Sequence, residues 1–439
     1  MRLATLSMVF LGLATMLNAL AGVPPSQPEV DAPELARLGS YAVGVKTITL
    51  VQHDQADLLA FVAHRATRRA DRVLAVDIWY PAAAGQAAAT DDYSANLESE
   101  KPGTYARFSI PSLALRDAQP AGGGYPLVIV SHGRRNATVT LSWLTENLAS
   151  KGYVVAAIRH EDPSDVSPFW FTQPLLRRPL DIGFVADRLQ NLLATEGLID
   201  PHRTALIGYS MGGYGVLAAA GAEIDPLAAQ QVPGGLLLPY VAGGPLRDTV
   251  VVRSLKAVVA LAPSGGGPPC MWGKQGLEGI SAPLLLIAGN RDHTVDYARG
   301  ARAFFDGATR AHRYLLTFEG AGHAIGLNYA PQAMRSTLWD LSWFEDPVWR
   351  KERIIGVNLH MITAFLDRYV KEDLTRASYL NGLIPESSGG EWPVNEGGRF
   401  DAYSPGTNRF TVWKGFQRNY AEGLQLLERQ PSADSEPSR

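Results

Sequence analysis

Three residue types able to carry out acyl transfer occur in a telling order along this chain. Ser210 sits in Gly208-Tyr-Ser-Met-Gly212, after the apolar run Thr204-Ala-Leu-Ile207 and just before the Ala-rich stretch from Gly215 to Gly221. Gly-x-Ser-x-Gly describes a strand that turns sharply into a helix and presents a serine at the corner. Small residues on either side are a steric requirement, because side chains there would strike the neighbouring strand and helix. A five-residue pattern alone arises by chance, and a Gly-rich surface loop would also contain it. The β-like run before it and the helix-forming stretch after it are the context that supports the sharper reading. Asp292 follows in Gly289-Asn-Arg-Asp-His293, and His323 in Gly320-Ala-Gly-His323. Nucleophile, acid, histidine is the chain order expected when the serine occupies such a turn.

Each part has a chemical reason. A serine hydroxyl is a poor nucleophile until a histidine takes its proton, which makes His323 the general base and later the acid. A carboxylate at Asp292 would hold the imidazole in one tautomer and stabilise its positive charge. The oxyanion formed on a substrate carbonyl needs two preorganised donors. The backbone N–H groups of Met211 and of Arg134, after His132-Gly133, fit that need, with Arg135 an alternative to Arg134. Asp296 competes with Asp292, and His293 with His323, although adjacent side chains in a loop seldom face each other well. His132, His160, Glu161 and Asp162 lack the spacing of metal ligands. No metal or cofactor is therefore expected, and His160 is expected to brace the oxyanion loop. Phe169, Trp170 and Phe171 follow a strand's end and either wall a substrate pocket or pack a loop onto the body. Trp339, Trp343, Phe344 and Trp349 leave the same choice open. Asn136-Ala-Thr138 matches a glycosylation sequon, but a glycan there would block the site.

The elements that must position these residues alternate. Strands are expected at Val43–Leu50, Val73–Tyr80, Pro126–Val130, Tyr153–Ile158, Thr204–Tyr209, Ala257–Ala262, Pro283–Gly289 and Arg313–Phe318. Helices are expected over Thr138–Ser150, about Asp181–Thr195, after Ser210, about Tyr297–Ala308 and Val357–Val370. This succession predicts an α/β fold: a mostly parallel central sheet with helices on both faces and an antiparallel N-terminal edge. Ligands bind such sheets outside the carboxyl ends of the strands, where Ser210, Asp292, His323 and the His132-Gly133-Arg134 segment all fall. Ala82 to Gln119 reads as a long surface excursion, and Glu223 to Asp248 as a lid or a long connection.

Composition bounds the rest. The 439 residues are 46% hydrophobic and 19% charged, which fits a globular chain with a substantial core. A formal net charge of −3 and the absence of a basic stripe beyond Arg65–Arg72 exclude a nucleic-acid partner. Met1 to Ala21 carries one charge, Arg2, an apolar run and a small-x-small end, as a signal peptide cleaved after Ala21 does. An uncleaved signal anchor is the alternative. The protein is thus expected to be secreted or periplasmic, with no later membrane span. Val23 to Pro33, with four prolines, is expected to be an extended lead-in. Cys270 is the only cysteine, so no intramolecular disulfide can form. A catalytic domain over 22–384 and a C-terminal extension over 385–439, disordered from about 430, complete the organisation.

Taken together, these motifs resemble the α/β-hydrolase superfamily, and within it platelet-activating factor acetylhydrolase and dienelactone-hydrolase-like serine esterases. The resemblance rests on Val43-Gly-Val-Lys-Thr-Ile-Thr-Leu50, Val76-Asp-Ile-Trp-Tyr-Pro81, Val130-Ser-His-Gly133, Leu148-Ala-Ser-Lys-Gly-Tyr-Val-Val-Ala-Ala157, His160-Glu-Asp162, Gly208-Tyr-Ser-Met-Gly-Gly213 and Gly322-His323. It spans roughly residues 40 to 375 and implies hydrolysis of a small-molecule or lipid ester by a Ser-Asp-His triad through an acyl-enzyme, without a cofactor. Two departures stand out. Dienelactone hydrolases carry cysteine where Ser210 stands, and relatives often have a further glycine where this chain has Arg134-Arg-Asn136.

Overall fold

The computed structural model describes residues 24–58, 60–61, 68–85, 91–273, 275–400 and 410–432. The expected signal peptide and residues 433–439 of the expected tail lie outside these. In chain order the strands are β1 (Ala42–Asp57), β2 (Arg68–Ala82), β3 (Tyr93–Glu98), β4 (Tyr105–Ile110), β5 (Leu115–Arg116), β6 (Tyr125–Ser131), β7 (Val154–Ile158), β8 (Ile199–Tyr209), β9 (Leu255–Leu261), β10 (Leu284–Gly289), β11 (Arg313–Phe318) and β12 (Leu424–Arg429). The α-helices are α1 (Ser142–Ser150), α2 (Thr172–Thr195), α3 (Met211–Ala219), α4 (Pro226–Ala229), α5 (Ala303–Gly307), α6 (Leu338–Phe344) and α7 (Lys351–Tyr369). Ten strands form one sheet in the order β12-β11-β10-β9-β8-β6-β7-β2-β1-β5.

From β7 to β11 this sheet is parallel, and β1 and β2 form the antiparallel ribbon at one side. The parallel strands are apolar throughout because both faces are covered. Val128, Val130, Val155, Ala205 and Ile207 point to a core built with α1 and α7. Leu127, Ile129, Val154, Ala156 and Leu206 point the other way, against α2 and α3. Helices therefore cover both faces, as the pattern of the sequence implied.

Several segments differ from expectation. The stretch from 82 to 119 is not a surface excursion. Its β3–β4 hairpin buries Tyr93, Leu97, Phe108 and Ile110, and the Tyr93 hydroxyl donates to the buried Glu146 carboxylate at 2.7 Å. Helix α2 starts at Thr172, well before the expected Asp181, and runs through Pro179. Proline cannot donate to the carbonyl one turn back, and the Tyr214 hydroxyl serves Leu175 O instead, at 3.0 Å. The helix expected over 297–308 is broken at Gly300, with a wide turn over Ala298–Arg302 before α5.

Segments near both ends of the described chain are built into the body. Ser26 is fully buried and donates to Glu146 at 2.5 Å, and the Asn147 amide holds the carbonyls of Ser26 and Ala36. Beyond 384, the fully buried Trp413 donates its indole N–H to Ile384 O at 2.8 Å, and β12 pairs antiparallel with β11. Among the described residues beyond 384, Trp413, Phe416, Ala421, Leu424 and Leu426 belong to the main core. The 223–248 connection packs along α2: Val250 lies against Gly183, and Tyr240 and Leu246 line a 480 Å³ cavity with Leu180, Phe184 and Asp187.

Candidate active site

Ser210 occupies the corner between β8 and α3 with a left-handed backbone, φ 54° and ψ −116°. Such a conformation is costly for a residue with a side chain and persists only where its surroundings impose it. The glycines around it explain how the turn is accommodated. A Cβ on Gly208 would strike the Gly212 carbonyl, one on Gly212 would strike the carbonyl of Ser131, and one on Gly213 would come within 2.7 Å of Pro263. The elbow and the loop after β6 thus touch through a position where only hydrogen fits.

The three residues singled out at strand ends converge. His323 Nε2 lies 3.0 Å from Ser210 Oγ, and His323 Nδ1 lies 2.7 Å from Asp292 Oδ2. Because Nδ1 faces a carboxylate it carries the proton, which leaves Nε2 to accept from the serine hydroxyl. Asp292 is held in turn by the backbone N–H groups of Thr294 and Val295 at 2.9 and 3.2 Å. The rivals fall away. Asp296 pairs with Arg299 at 2.7 Å, and His293 is exposed while His323 takes the place between Asp292 and Ser210. Tyr209 stacks on the His323 ring at 5.2 Å, and its hydroxyl donates to His323 O at 3.0 Å.

Behind the site lies a buried polar cluster. His160 Nδ1 faces Asp181 at 2.9 Å, and His160 Nε2 faces Ser131 Oγ at 2.9 Å. Arg72 binds both oxygens of Asp181 at 2.6 and 2.7 Å. Burial pushes the Asp181 carboxyl up, but the adjacent Arg72 guanidinium and its hydrogen bonds outweigh this and bring it down to about 2. Burial, reinforced by Arg178, lowers His160 to about 4, and the same causes hold His132 well below the usual imidazole range. Both imidazoles are thus neutral. His160 does brace the end of β6, but Arg178 grips the loop itself, donating to His132 O at 2.6 Å. The sequence reading missed Arg178 and Asp181. They stand one turn apart in the buried first half of α2, and nothing in the sequence around them marks that burial.

Aromatic side chains flank the opening. Trp170 and Phe171 are 40% and 36% exposed, Phe169 is packed inward, and the Arg134 guanidinium lies 4.5 Å over the Trp170 ring. Across the site Trp343 stands edge-on to His323 at 6.2 Å, with Trp339 against it at 5.8 Å. Phe344 and Trp349, by contrast, are core residues. A cavity of 470 Å³ opens beside the Asp292 loop, lined by Phe171, Ser264, Pro268, His293 and Thr294 among others. The Ser264 N–H bonds Ser210 O at 2.9 Å, so this cavity adjoins the elbow.

Comparison with known proteins bears on the fold. A solved ferulic acid esterase from Streptomyces cinnamoneus superposes with a TM-score of 0.52 over 78% of this chain and 94% of that one, at 22% identity. The chain has the α/β-hydrolase fold. Residues 28–181 also match the family described as platelet-activating factor acetylhydrolase, isoform II. The matched part runs from residue 28 through β1 to β7 and into α2. It includes the His132-Gly133-Arg134 loop and stops before Ser210.

Proposed function

We propose that this protein is an exported serine carboxylic ester hydrolase that works through an acyl-enzyme on Ser210. The observation that carries the reading is the continuous Ser210–His323–Asp292 hydrogen-bond relay, 3.0 and 2.7 Å long, at the carboxyl edge of the sheet. His323 Nε2 takes the hydroxyl proton as Ser210 Oγ attacks the ester carbonyl. The resulting oxyanion is received by the backbone N–H of Met211 and that of Arg134. The intermediate collapses as His323 returns its proton to the departing alcohol. Water, deprotonated by the same imidazole, then releases the acid. Asp292 stays ionised and stabilises the imidazolium. Export rests on the leader-like Met1–Ala21 segment. No helix among the described residues is long and apolar enough to cross a membrane.

The 470 Å³ cavity beside Phe171 favours short or small acyl groups over long chains. A second reading, an ester with an aromatic acid or alcohol, is favoured by the Trp170–Phe171 and Trp339–Trp343 pairs that border the site. Acetylhydrolase action on a lipid remains open to the same machinery. Incubation with a fluorophosphonate should label Ser210 and no other serine, and Ser210→Ala should abolish both labelling and turnover. Folded protein that is not labelled would overturn the reading. A p-nitrophenyl ester series from acetyl to palmitoyl, with benzoyl added, separates the acyl classes. Matched ester and amide substrates separate an esterase from a peptidase or amidase.

A further inference from the structure

The second oxyanion donor can be assigned from what holds the other side of its peptide group. A trans peptide is planar, with its C=O and N–H pointing in opposite directions. The N–H of Arg134 shares a peptide with the C=O of Gly133. That carbonyl accepts from His132 Nδ1 at 2.7 Å and from Arg178 Nη2 at 3.4 Å. Arg178 Nη1 holds the preceding carbonyl, His132 O, at 2.6 Å. Both carbonyls are therefore drawn toward one buried guanidinium under α2, and the Arg134 N–H must face the opposite way. Gly133 itself lies against the ring of Tyr209, 3.0 Å from where its Cβ would stand, and that ring is stacked on His323.

We propose that Arg178 is a positioning residue which, with His132, clamps the Gly133 carbonyl inward and so presents the Arg134 N–H, and not that of Arg135, to the oxyanion formed at Ser210. This rests on the ester-hydrolase reading above and deepens it. Arg178 is fully buried and is ion-paired with Asp162 at the end of β7. Burying a guanidinium costs free energy that a pair of this kind rarely returns as stability, so a shape-giving role accounts for it better than a stabilising one. The surroundings fix the tautomers the clamp needs. His132 Nε2 faces the His160 N–H at 3.4 Å, which leaves Nδ1 to carry the proton given to Gly133 O. The Arg135 guanidinium anchors the next residue of the loop, binding Asp165 and the carbonyls of Glu98 and Ser99.

The test uses the full-length mature protein with three variants. Arg178→Lys keeps a charge but loses the fork. R178M/D162N removes the ion pair without leaving a bare carboxylate. His132→Phe removes the other half of the clamp and leaves the ion pair in place, so it keeps the test open should the Arg178 variants fail to fold. On p-nitrophenyl acetate, kcat should fall about 100-fold in R178M/D162N and in His132→Phe, with KM within about twofold. Affinity for a trifluoromethyl ketone, whose hemiketal oxyanion needs the same donors, should fall by a similar factor. Crystal structures of these variants should show the Gly133–Arg134 peptide turned over. Folded variants with wild-type kcat, with a rise in KM alone, or with an unmoved peptide would overturn the assignment. An inert wild-type protein whose variants still turn this peptide would instead count against the ester-hydrolase reading.

Discussion

Five residues with side chains adopt a left-handed backbone just past the carboxyl ends of successive parallel strands. They are Arg135 (φ 61°) after β6, Glu161 (51°) after β7, Ser210 (54°) after β8, Ala262 (40°) after β9 and Asp296 (59°) after β10. Each costs on the order of 1 kcal/mol or more, and together they ring the site. Glu161 is exposed and belongs to none of the hydrogen bonds described above, so Glu161→Gly should raise the unfolding free energy by up to about 1 kcal/mol in urea titration. A lower value would mean that the loop is not strained there. The acid assignment has its own check. Asp292→Asn should cut kcat by about 10³–10⁴-fold with the fold intact, whereas Asp296→Asn should leave kcat within about twofold, since Asp296 faces Arg299 and not His323. Ser210, Asp292 and His323 were legible in the sequence because each sits a few residues past a readable apolar strand. Arg178 was not. Next to Arg177, on a stretch interrupted by prolines, it looks like one more surface charge, and only the packing of α3 against α2 shows that it is buried.

At the level of elements, the parallel strands were read within a residue or two where both faces are buried, because nothing polar interrupts them. The failures have local causes. The β3 sequence Tyr93-Ser-Ala-Asn-Leu-Glu98 does alternate, with Tyr93, Ala95 and Leu97 buried, but its small and polar residues and the surrounding alanines hide the period. β12 could not be read because its role is set by the free edge of β11, which lies more than a hundred residues away. Removing residues 424–439 should expose that edge, lower the melting temperature and promote association, measurable by light scattering on heating. Unchanged melting would show that β12 contributes little. Trp413→Ala should cost about 3–5 kcal/mol, since a fully buried indole and its hydrogen bond to Ile384 are lost together.

Taken whole, the molecule keeps three imidazoles buried and neutral. Burial brings His160 to about 4 and His360 to about 3, and depresses His132 well below its ordinary value of 6.5. The unfolded chain takes up these protons near 6.5, so between there and about 4 it binds more protons than the folded one. Stability should therefore fall as pH drops through that window, by up to about 1.4 kcal/mol per pH unit for each histidine. Urea midpoints at pH 7, 5.5 and 4.5 should decline in that order; a flat series would contradict the buried neutral state. Lys151 and Lys351, lowered by burial to about 7 and about 8, act in the same direction above neutrality, where stability should rise toward pH 10.

His360 also joins the two ends of the chain. Its Nδ1 accepts from Leu35 N at 3.1 Å and its Nε2 faces Lys414 O at 3.2 Å, while Glu34 N bonds Gly415 O at 2.8 Å. During synthesis, Glu34 and Leu35 wait for Lys414 and Gly415, which are made much later in the chain. At about 5–20 residues per second that wait is roughly 20–75 s. Through that interval Ser26 and Ala36 can already meet Glu146 and Asn147, but the bonds of Glu34 and Leu35 to the far segment are missing.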